Sequence, residues 1–274
     1  MTERRIQSVD RALRLIEALR LTAHPLGLKE LSALTGLNPA TAHLLLRTMA
    51  AHHYVEQDPE SREYELGLAI VEAGQRAGRR RALPTILGPY ARRMHDASRE
   101  NVFVRVARDG QVYSLFEFES TQPVVARPDR VIRSELRHGY AFATGKVFLA
   151  GMPPAQVWEV LGEPPYKAFT AHTMTSREEM TCELDLVRRR GYALDHEELM
   201  NGISCVAVPI CGVDGKIAAT MSTSLPTMAA TKARMQELTK LLLEHAGAAS
   251  ARVRAAGIRI QHQTHLGALQ SSYE

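Results

Sequence analysis

The 274-residue sequence predicts a two-domain α+β protein, with an N-terminal winged helix-turn-helix and a C-terminal antiparallel sheet with flanking helices. Two observations support this prediction. Over the first fifty residues, apolar side chains recur every three to four positions, as in amphipathic helices. From Asn101 onward the period is two, and Asp-Gly pairs separate alternating segments, which indicates hairpins. The predicted domains are 1–70 for the helix-turn-helix, 71–90 for a linker helix, 91–255 for the second domain and 256–274 for a flexible tail.

Composition narrows the class of protein. A hydrophobic share of 45% is enough for packed cores, and a net charge of +4 permits nucleic-acid binding without requiring it. The three cysteines, Cys182, Cys205 and Cys211, form no CxxC pair, which argues against a disulfide framework and a structural zinc site. The first residues mix charges with apolar side chains, unlike a signal peptide, and no segment is apolar enough to span a membrane. We therefore expect a cytoplasmic protein without cofactor or metal.

The first two helices are predicted from their apolar spacing. The first has one stripe that we expect to be buried, formed by Ile6, Val9, Leu13, Ile16 and Leu19. The second is predicted over Leu28–Thr35, with Leu28, Leu31 and Leu34 facing inward. Gly36 follows at the position where a helix often ends in a left-handed residue.

A third helix is predicted over Pro39–Ala51, with Asn38 as its N-cap and Pro39 in the first helical position. Its inward face is Ala42, Leu45, Leu46 and Met49, and its outward face carries Thr41, His43 and Arg47. Two short helices joined by a tight glycine-containing turn form a helix-turn-helix. In that motif the second helix enters the major groove through residues near its N-terminus.

A hairpin the size of a wing follows, with strands at 54–57 and 62–66 and a polar turn between them. Arg62 near its tip could reach a phosphate or the minor groove. The residues predicted to contact DNA are Lys29, Asn38, Ala40, Thr41, His43, Arg47 and Arg62. The alternative is a small helical domain that packs against another protein, because this face is not strongly basic.

The second domain is predicted from turns and caps. Asp109-Gly110 and Asp214-Gly215 each separate two alternating segments, which predicts two hairpins. Ser176 and Glu179 form a capping box for a helix that ends at Gly191. A C-terminal helix is predicted over 230–249. The basic triplet 79–81 near the end of the linker helix is interpreted as a solvated helix end rather than a phosphate contact.

Several segments resemble the IclR family of transcriptional regulators, in order, over roughly residues 6–245. They include SVDRAL at 8–13, LKEL at 28–31, TGL at 35–37, YVE at 54–56, ATGKVFLA at 143–150, the threonines of 170–175, RGYALDHEE at 190–198, GISCVAVPI at 202–210 and STS at 222–224. The resemblance implies a GAF/PAS-like sheet with a ligand pocket on one face. Pro39, Ala40 and Leu44 depart from the polar residues common in the family, so the operator sequence of relatives does not transfer.

The resemblance also implies a set of effector-binding residues. They are Asp195, Cys205, Ser222, Ser224 and the backbone of Phe142 and Ala143. Tyr140, Met221 and His138 lie close to them in sequence and are predicted to line the same pocket. Ser222 and Ser224 are two apart on a strand, so they share a face. Backbone N–H groups at a helix start favour a carboxylate. Without the resemblance, Cys205 would be interpreted as a core residue, and Asp195 and the serines as solvated.

Together these features predict a ligand-responsive transcriptional regulator, either a repressor or an activator. Its expected partners are double-stranded operator DNA, a small organic or aromatic acid, and further copies of the chain in a homodimer or homotetramer. One alternative is a helix-turn-helix adapter that binds only protein. Another is a hydrolase with Cys205 or a serine as nucleophile and His196 or His138 as base, although no nucleophile elbow or phosphate loop is present.

Overall fold

A computed structural model describes residues 6–22, 24–79, 82–122 and 135–258 of the chain. It divides into two compact units, Met1–Arg81 and Ala82–Glu274. The predicted two-domain α+β architecture is confirmed. The division lies within the predicted linker helix at 71–90, a stretch that holds the end of one helix and the start of another.

The N-terminal unit is a winged helix-turn-helix. Its elements are α1 (Gln7–Leu21), α2 (Leu28–Thr35), α3 (Pro39–Ala51), β1 (Val55–Gln57), β2 (Tyr64–Leu66) and α4 (Leu68–Arg79). Strands β1 and β2 pair antiparallel, and Leu26 adds a bridge to Tyr64 through two backbone hydrogen bonds of 2.8 and 2.9 Å. This bridge connects the segment before α2 to the wing, so the helix pair and the hairpin share one core.

The predicted buried stripe of α1 is wrong in part. Leu15 and Leu19 are buried, whereas Ile6, Val9 and Leu13 are 71%, 52% and 58% exposed. At roughly 100° per residue, the exposed three are centred about a third of a turn away from Leu15 and Leu19. Leu34 of α2 is likewise exposed rather than inward. Apolar residues cover two faces of α1, and spacing alone does not tell which one packs inside the unit.

The local signals around α3 are confirmed. Gly36 ends α2 with φ of 68°, a left-handed conformation that glycine adopts without a steric penalty. Asn38 has an extended backbone, and its side-chain oxygen accepts a 2.8 Å hydrogen bond from the N–H of Thr41. Pro39 occupies the first turn, where a missing N–H costs nothing.

We expect Asn38→Ala to lower the free energy of unfolding of the N-terminal unit by about 1 kcal/mol, because the Thr41 N–H loses its acceptor. Chemical denaturation followed by circular dichroism measures this loss. Asn38→Ser keeps an acceptor at the cap and should retain most of the stability. Equal losses in both variants would contradict the capping role.

The C-terminal unit is a five-stranded antiparallel sheet between two helical layers. Its elements are α5 (Ala82–Ser98), β3 (Asn101–Arg108), β4 (Gln111–Phe118), a 3₁₀ helix (Leu136–Ala141), α6 (Ala143–Ala150), α7 (Pro154–Leu161), α8 (Arg177–Arg190), β5 (Ala193–His196), β6 (Ile203–Cys211), β7 (Ile217–Pro226) and α9 (Lys232–Ala255). The strand order is β4-β3-β7-β6-β5. Helices α5 and α9 pack on one face, and α6 and α8 lie on the other.

The predicted hairpins and caps of this unit are confirmed. Asp109 and Gly110 both have positive φ between β3 and β4. Ser176 accepts a hydrogen bond from the N–H of Glu179, and Gly191 ends α8 with φ of 79°. Helix α9 extends to Ala255, beyond the predicted end at 249. Residues 80–81 of the basic triplet and 259–274 of the predicted tail lie outside the described residues.

Within the described ranges, no helix combines the length and the apolar character needed to cross a membrane.

Candidate functional site

The outward face of α3 holds most of the residues predicted to contact DNA. Ala40, His43 and Arg47 are exposed, and Thr41 is half-buried with its N–H engaged in the helix cap. Lys29 on α2 is exposed as well. These side chains belong to the two helices of the helix-turn-helix pair.

Arg62 lies on the wing, where it is exposed and has φ of 62°. The turn before it is held by Asp58, whose carboxylate accepts hydrogen bonds from the N–H groups of Glu60 and Ser61 at 2.9 and 2.7 Å. These bonds lower the pKa of Asp58, because they favour its charged form. The ordered turn gives the wing a defined tip.

A cavity lies between the sheet and the start of α6 in the C-terminal unit. The free space in the cavity and at its open mouth, solvent included, is about 600 Å³. The lining residues are Phe103, Arg105, Phe142, Ala143, Thr144, Asp195, Leu199, Met200, Ile203, Cys205, Ser222, Thr223 and Ser224. All six residues that the family resemblance assigned to the effector are among them.

Strand register explains why the polar residues converge. Asp195 on β5 lies opposite Cys205 on β6, which lies opposite Ser224 on β7, which lies opposite Asn101 on β3. The four side chains form one row across the sheet. Since side chains alternate between faces with a period of two, Ser222 lies on the same face one step along β7. Asp195, Ser222 and Ser224 are each at most 3% exposed, so the solvated interpretation of these residues is wrong.

Both serines accept hydrogen bonds from the protein. The Thr144 hydroxyl donates to Ser222 Oγ, and the Asn101 side-chain amide donates to Ser224 Oγ, each over 3.3 Å. A hydroxyl that accepts in this way can donate its own proton to a third group. The two serines are therefore suited to hydrogen-bond an acceptor atom in the cavity.

Helix α6 begins at the cavity wall. Its N-cap residue, Phe142, has an extended backbone and makes no side-chain capping bond. The helix N-terminus carries partial positive charge on N–H groups that have no acceptor within the helix. Helix α6 packs closely against the preceding 3₁₀ helix. A Cβ on Gly145 would lie only 2.3 Å from the Cα of Gly139. Only glycine fits at position 145.

A buried ion pair lies behind the cavity wall. Lys146 of α6 is completely buried, and its ammonium donates hydrogen bonds to the carboxylate of Glu198 at 2.7 Å and the carbonyl of Leu194 at 2.8 Å. Glu183 on α8 lies 3.8 Å from the same nitrogen and is also paired with Arg190 at 2.8 Å. The lysine connects α6 to β5 and the loop after it.

Asp195 has a strongly shifted pKa. Burial and, to a smaller extent, the charge of Glu198 raise it from 3.8 to about 7. The N–H of Glu198, which donates to Asp195 Oδ1 at 2.8 Å, and the ammonium of Lys146 act in the opposite direction. The group therefore changes charge near neutral pH, at the wall of the cavity.

Two threonines fix the loop after β5. The hydroxyl of Thr170 donates to the carbonyl of Glu197, and that of Thr173 donates to the carbonyl of Glu198, each over 2.6 Å. Glu197 itself has φ of 60°, an uncommon conformation that these bonds support. The threonine-rich segment thus positions the carboxylate that pairs with Lys146.

Three predicted lining residues lie elsewhere. Met221 is in the core between the sheet and the layer of α5 and α9, because it alternates with Ser222 and so points to the opposite face. Tyr140 packs against Tyr166 in a second core cluster, and its hydroxyl donates to the carbonyl of Lys167 at 2.9 Å. His138 packs edge-on against Tyr140. Nearness in sequence was the only basis for these predictions, and it was wrong for all three.

Sequence reasoning missed Phe103 and Arg105, which line the cavity from β3. The Arg105 guanidinium lies 4.2 Å from the centroid of the Phe103 ring, a cation–π contact. The alternating period had already placed both residues on one face of β3. The sequence alone did not reveal that β3 pairs with β7, and this pairing places that face of β3 beside the serines.

Comparison with known proteins agrees with this geometry. The model of the IclR C-terminal domain of bacterial transcriptional regulators matches residues 76–251, and the model of the IclR helix-turn-helix domain matches residues 8–59. The HTH-type transcriptional regulator XynR of Escherichia coli strain K12 is 31% identical over 251 residues, which cover 90% of this chain and 96% of XynR.

Solved structures give the same result. An IclR transcriptional regulator from Alicyclobacillus acidocaldarius is 27% identical, with a TM-score of 0.77 over 90% of this chain and 99% of that one. An IclR homologue from Microbacterium hydrocarbonoxydans, solved with 4-hydroxybenzoate, is 22% identical, with a TM-score of 0.74 and coverage of 90% and 99%. The relatives are transcriptional regulators, and the matches span both units of this chain. The chain belongs to the IclR family, whose members are bacterial transcriptional regulators with a helix-turn-helix and a C-terminal effector-binding domain.

Proposed function

We propose that this chain binds operator DNA through α3 and the wing, and that a small organic acid in the C-terminal cavity changes its operator affinity. The observation that carries the proposal is the row of polar side chains formed by Asp195, Cys205 and Ser224, which lines a cavity instead of a packed core. Buried polar groups cost free energy unless they are hydrogen-bonded, so such a row is typical of a binding site. The DNA-binding domain would be residues 1–70, and the effector domain 91–255.

The cavity favours an anionic group with an attached ring. Hydrogen-bond donors come from Ser222, Ser224 and the N–H groups at the start of α6, and Arg105 adds a positive charge. The rings of Phe103 and Phe142 offer flat apolar surface. The 4-hydroxybenzoate in the Microbacterium homologue combines a carboxylate with a ring, which makes an aromatic acid a suitable first candidate.

Regulation would follow from linkage. A ligand that binds two arrangements of the protein unequally shifts their populations, and it changes operator affinity if the two arrangements bind DNA differently. The same linkage serves a repressor released by its effector and an activator recruited by it.

A dimer or tetramer fits this function, since two recognition helices read two half-sites of a palindromic operator. The exposed apolar residues of the N-terminal unit offer surface for such an assembly. Among them are Ile6 just before α1, Val9 and Leu13 on α1, and Leu68 and Val71 on α4. A protein of this kind acts in the cytoplasm, where the bacterial chromosome lies.

The hydrolase alternative lacks the histidine base at the cavity that it requires. Among the described residues that line it, none is a histidine, and His138 packs against Tyr140 and Phe169. The described lining residues therefore offer no imidazole to activate Cys205. We propose a binding role for the cavity and no enzymatic activity. The protein-adapter alternative predicts no stabilisation by small acids.

Two variants separate the proposed sites. Arg47→Ala should weaken operator binding about 5- to 100-fold and leave ligand binding unchanged, because the arginine lies on the exposed face of α3. Ser222→Ala should weaken binding of 4-hydroxybenzoate, the probe acid, by roughly 2- to 10-fold and leave ligand-free DNA binding unchanged. Fluorescence anisotropy and isothermal titration calorimetry measure the two affinities.

Arg189→Ala, at an exposed arginine on α8 in the C-terminal unit, serves as the control for the DNA-binding assay. Unchanged operator affinity in Arg47→Ala would contradict the placement of the recognition helix. Unchanged probe affinity in Ser222→Ala would contradict the assignment of the cavity.

A further inference from the structure

The centre of the exposed face of α3 is apolar. Ala40, Leu44 and Arg47 follow each other at spacings of four and three and so lie on one side of the helix. Leu44 is 62% exposed. The buried side of the helix is formed by Ala42, Leu46 and Met49. The centre of the outward face is thus formed by the apolar side chains of Ala40 and Leu44, and Arg47 follows one turn after Leu44.

Hydrogen-bonding capacity is low where a recognition helix ordinarily reads bases. Asn38 uses its side-chain oxygen to cap the helix, and Pro39 and Ala40 carry no polar side-chain atom. Thr41 is half-buried. Polar side chains on the exposed face begin at His43. Recognition helices contact base edges mainly through their N-terminal residues, so this helix presents mostly apolar atoms there.

One apolar group distinguishes base pairs in the major groove, namely the C5-methyl of thymine. We propose that Leu44, with Ala40 beside it, reads a thymine methyl in each operator half-site. The inference rests on the proposed function, because it assigns one contact within the proposed DNA interface.

Charge favours DNA over a protein partner for this face. Helix α3 contains no acidic residue. The same unit carries exposed basic side chains, with Arg47 on α3 itself, Lys29 on α2 and Arg62 on the wing. Basic groups around an apolar centre suit a surface that meets phosphates at its edges and bases in the middle.

The test begins with selection of duplexes from a random pool by the full-length protein. We expect each enriched half-site to contain thymine at one fixed position. Replacing that thymine by deoxyuridine removes the methyl group and keeps the hydrogen-bonding pattern. The wild-type protein should then bind about fourfold more weakly per methyl removed. The Leu44→Ala protein should bind the thymine and deoxyuridine duplexes equally.

Leu34→Ala is the matched control. Leu34 on α2 is also a 62% exposed leucine, and it lies outside the recognition helix. This variant should keep the full deoxyuridine penalty, which would support the assignment to Leu44. Enriched sites that the wild-type protein binds equally with thymine or deoxyuridine would overturn the methyl contact alone. A penalty that persists in Leu44→Ala would overturn the role of Leu44. A pool without any enriched sequence would overturn the proposed function as well.

Discussion

Replacing Lys146 by methionine is expected to lower the free energy of unfolding of the C-terminal unit by about 3–5 kcal/mol at neutral pH. The ammonium is completely buried and holds Glu198 on both carboxylate oxygens, at 2.7 and 2.6 Å. Methionine fills a similar volume without charge, so Glu198 would remain buried near Asp195 with its counter-charge gone. Breaking a buried pair on one side costs more than removing both partners.

Urea denaturation of the full-length variant, followed by circular dichroism, measures this loss. Adding Glu198→Gln to the variant should restore part of the stability, because the uncompensated charge is removed. The loss should also shrink at pH 5, where Asp195, whose pKa is about 7, is protonated and no longer repels Glu198. Lys216→Met changes an exposed lysine and serves as the control. A loss below about 1 kcal/mol for Lys146→Met would contradict the structural role assigned to this pair.

The second large effect concerns the pH dependence of stability. The pKa of Asp195 is raised from 3.8 to about 7 in the folded protein, mainly by burial. Between these values the unfolded chain has lost this proton while the folded chain retains it. Stability therefore falls as pH rises through this window, by about 4 kcal/mol in total. The contribution is fully present below pH 4 and lost above pH 7.

Asp195→Asn removes the titrating group and keeps an oxygen that can accept the N–H of Glu198. We expect it to be more stable than the wild-type protein at pH 8, by up to about 4 kcal/mol, and nearly equal to it at pH 4. Unfolding free energies measured across this range decide the matter. A difference between the two proteins that stays constant from pH 4 to pH 8 would contradict the shifted pKa.

Local signals determined much of the fold, and sequence reasoning found them. Gly36, Asn38, Ser176 and Gly191 act through the backbone of their own turn, so their roles depend little on the rest of the molecule. The Asp-Gly turns are equally local. The packing of α1 is different in kind, because which apolar face meets the core depends on the position of the other helices. The sequence analysis therefore missed the burial of Leu15 and wrongly predicted that Leu13 is buried.

The cavity shows the same limit. The family resemblance identified Asp195, Cys205 and the two serines, and strand alternation explained why the serines share a face. Phe103 and Arg105 were missed, since the position of Phe103 opposite Ser222, with Arg105 two residues further along β3, depends on which strands pair. Lys146 was known only as part of a motif. Its role depends on the fold, which places the carboxylate of Glu198, 52 residues further along the chain, within hydrogen-bonding distance of its ammonium.

The central claim is that this chain is a sequence-specific regulator whose DNA binding responds to a small acid. Fluorescence anisotropy of the full-length protein on duplex DNA from upstream of its own gene tests it most directly, against a scrambled duplex at one near-physiological salt concentration. Salt must be fixed, because phosphate contacts alone produce binding that depends on it. We expect a clear preference for the upstream duplex, which an aromatic acid such as 4-hydroxybenzoate or a related short acid alters. Equal, weak binding to both duplexes, unchanged by every acid tested, would contradict the claim and favour the protein adapter.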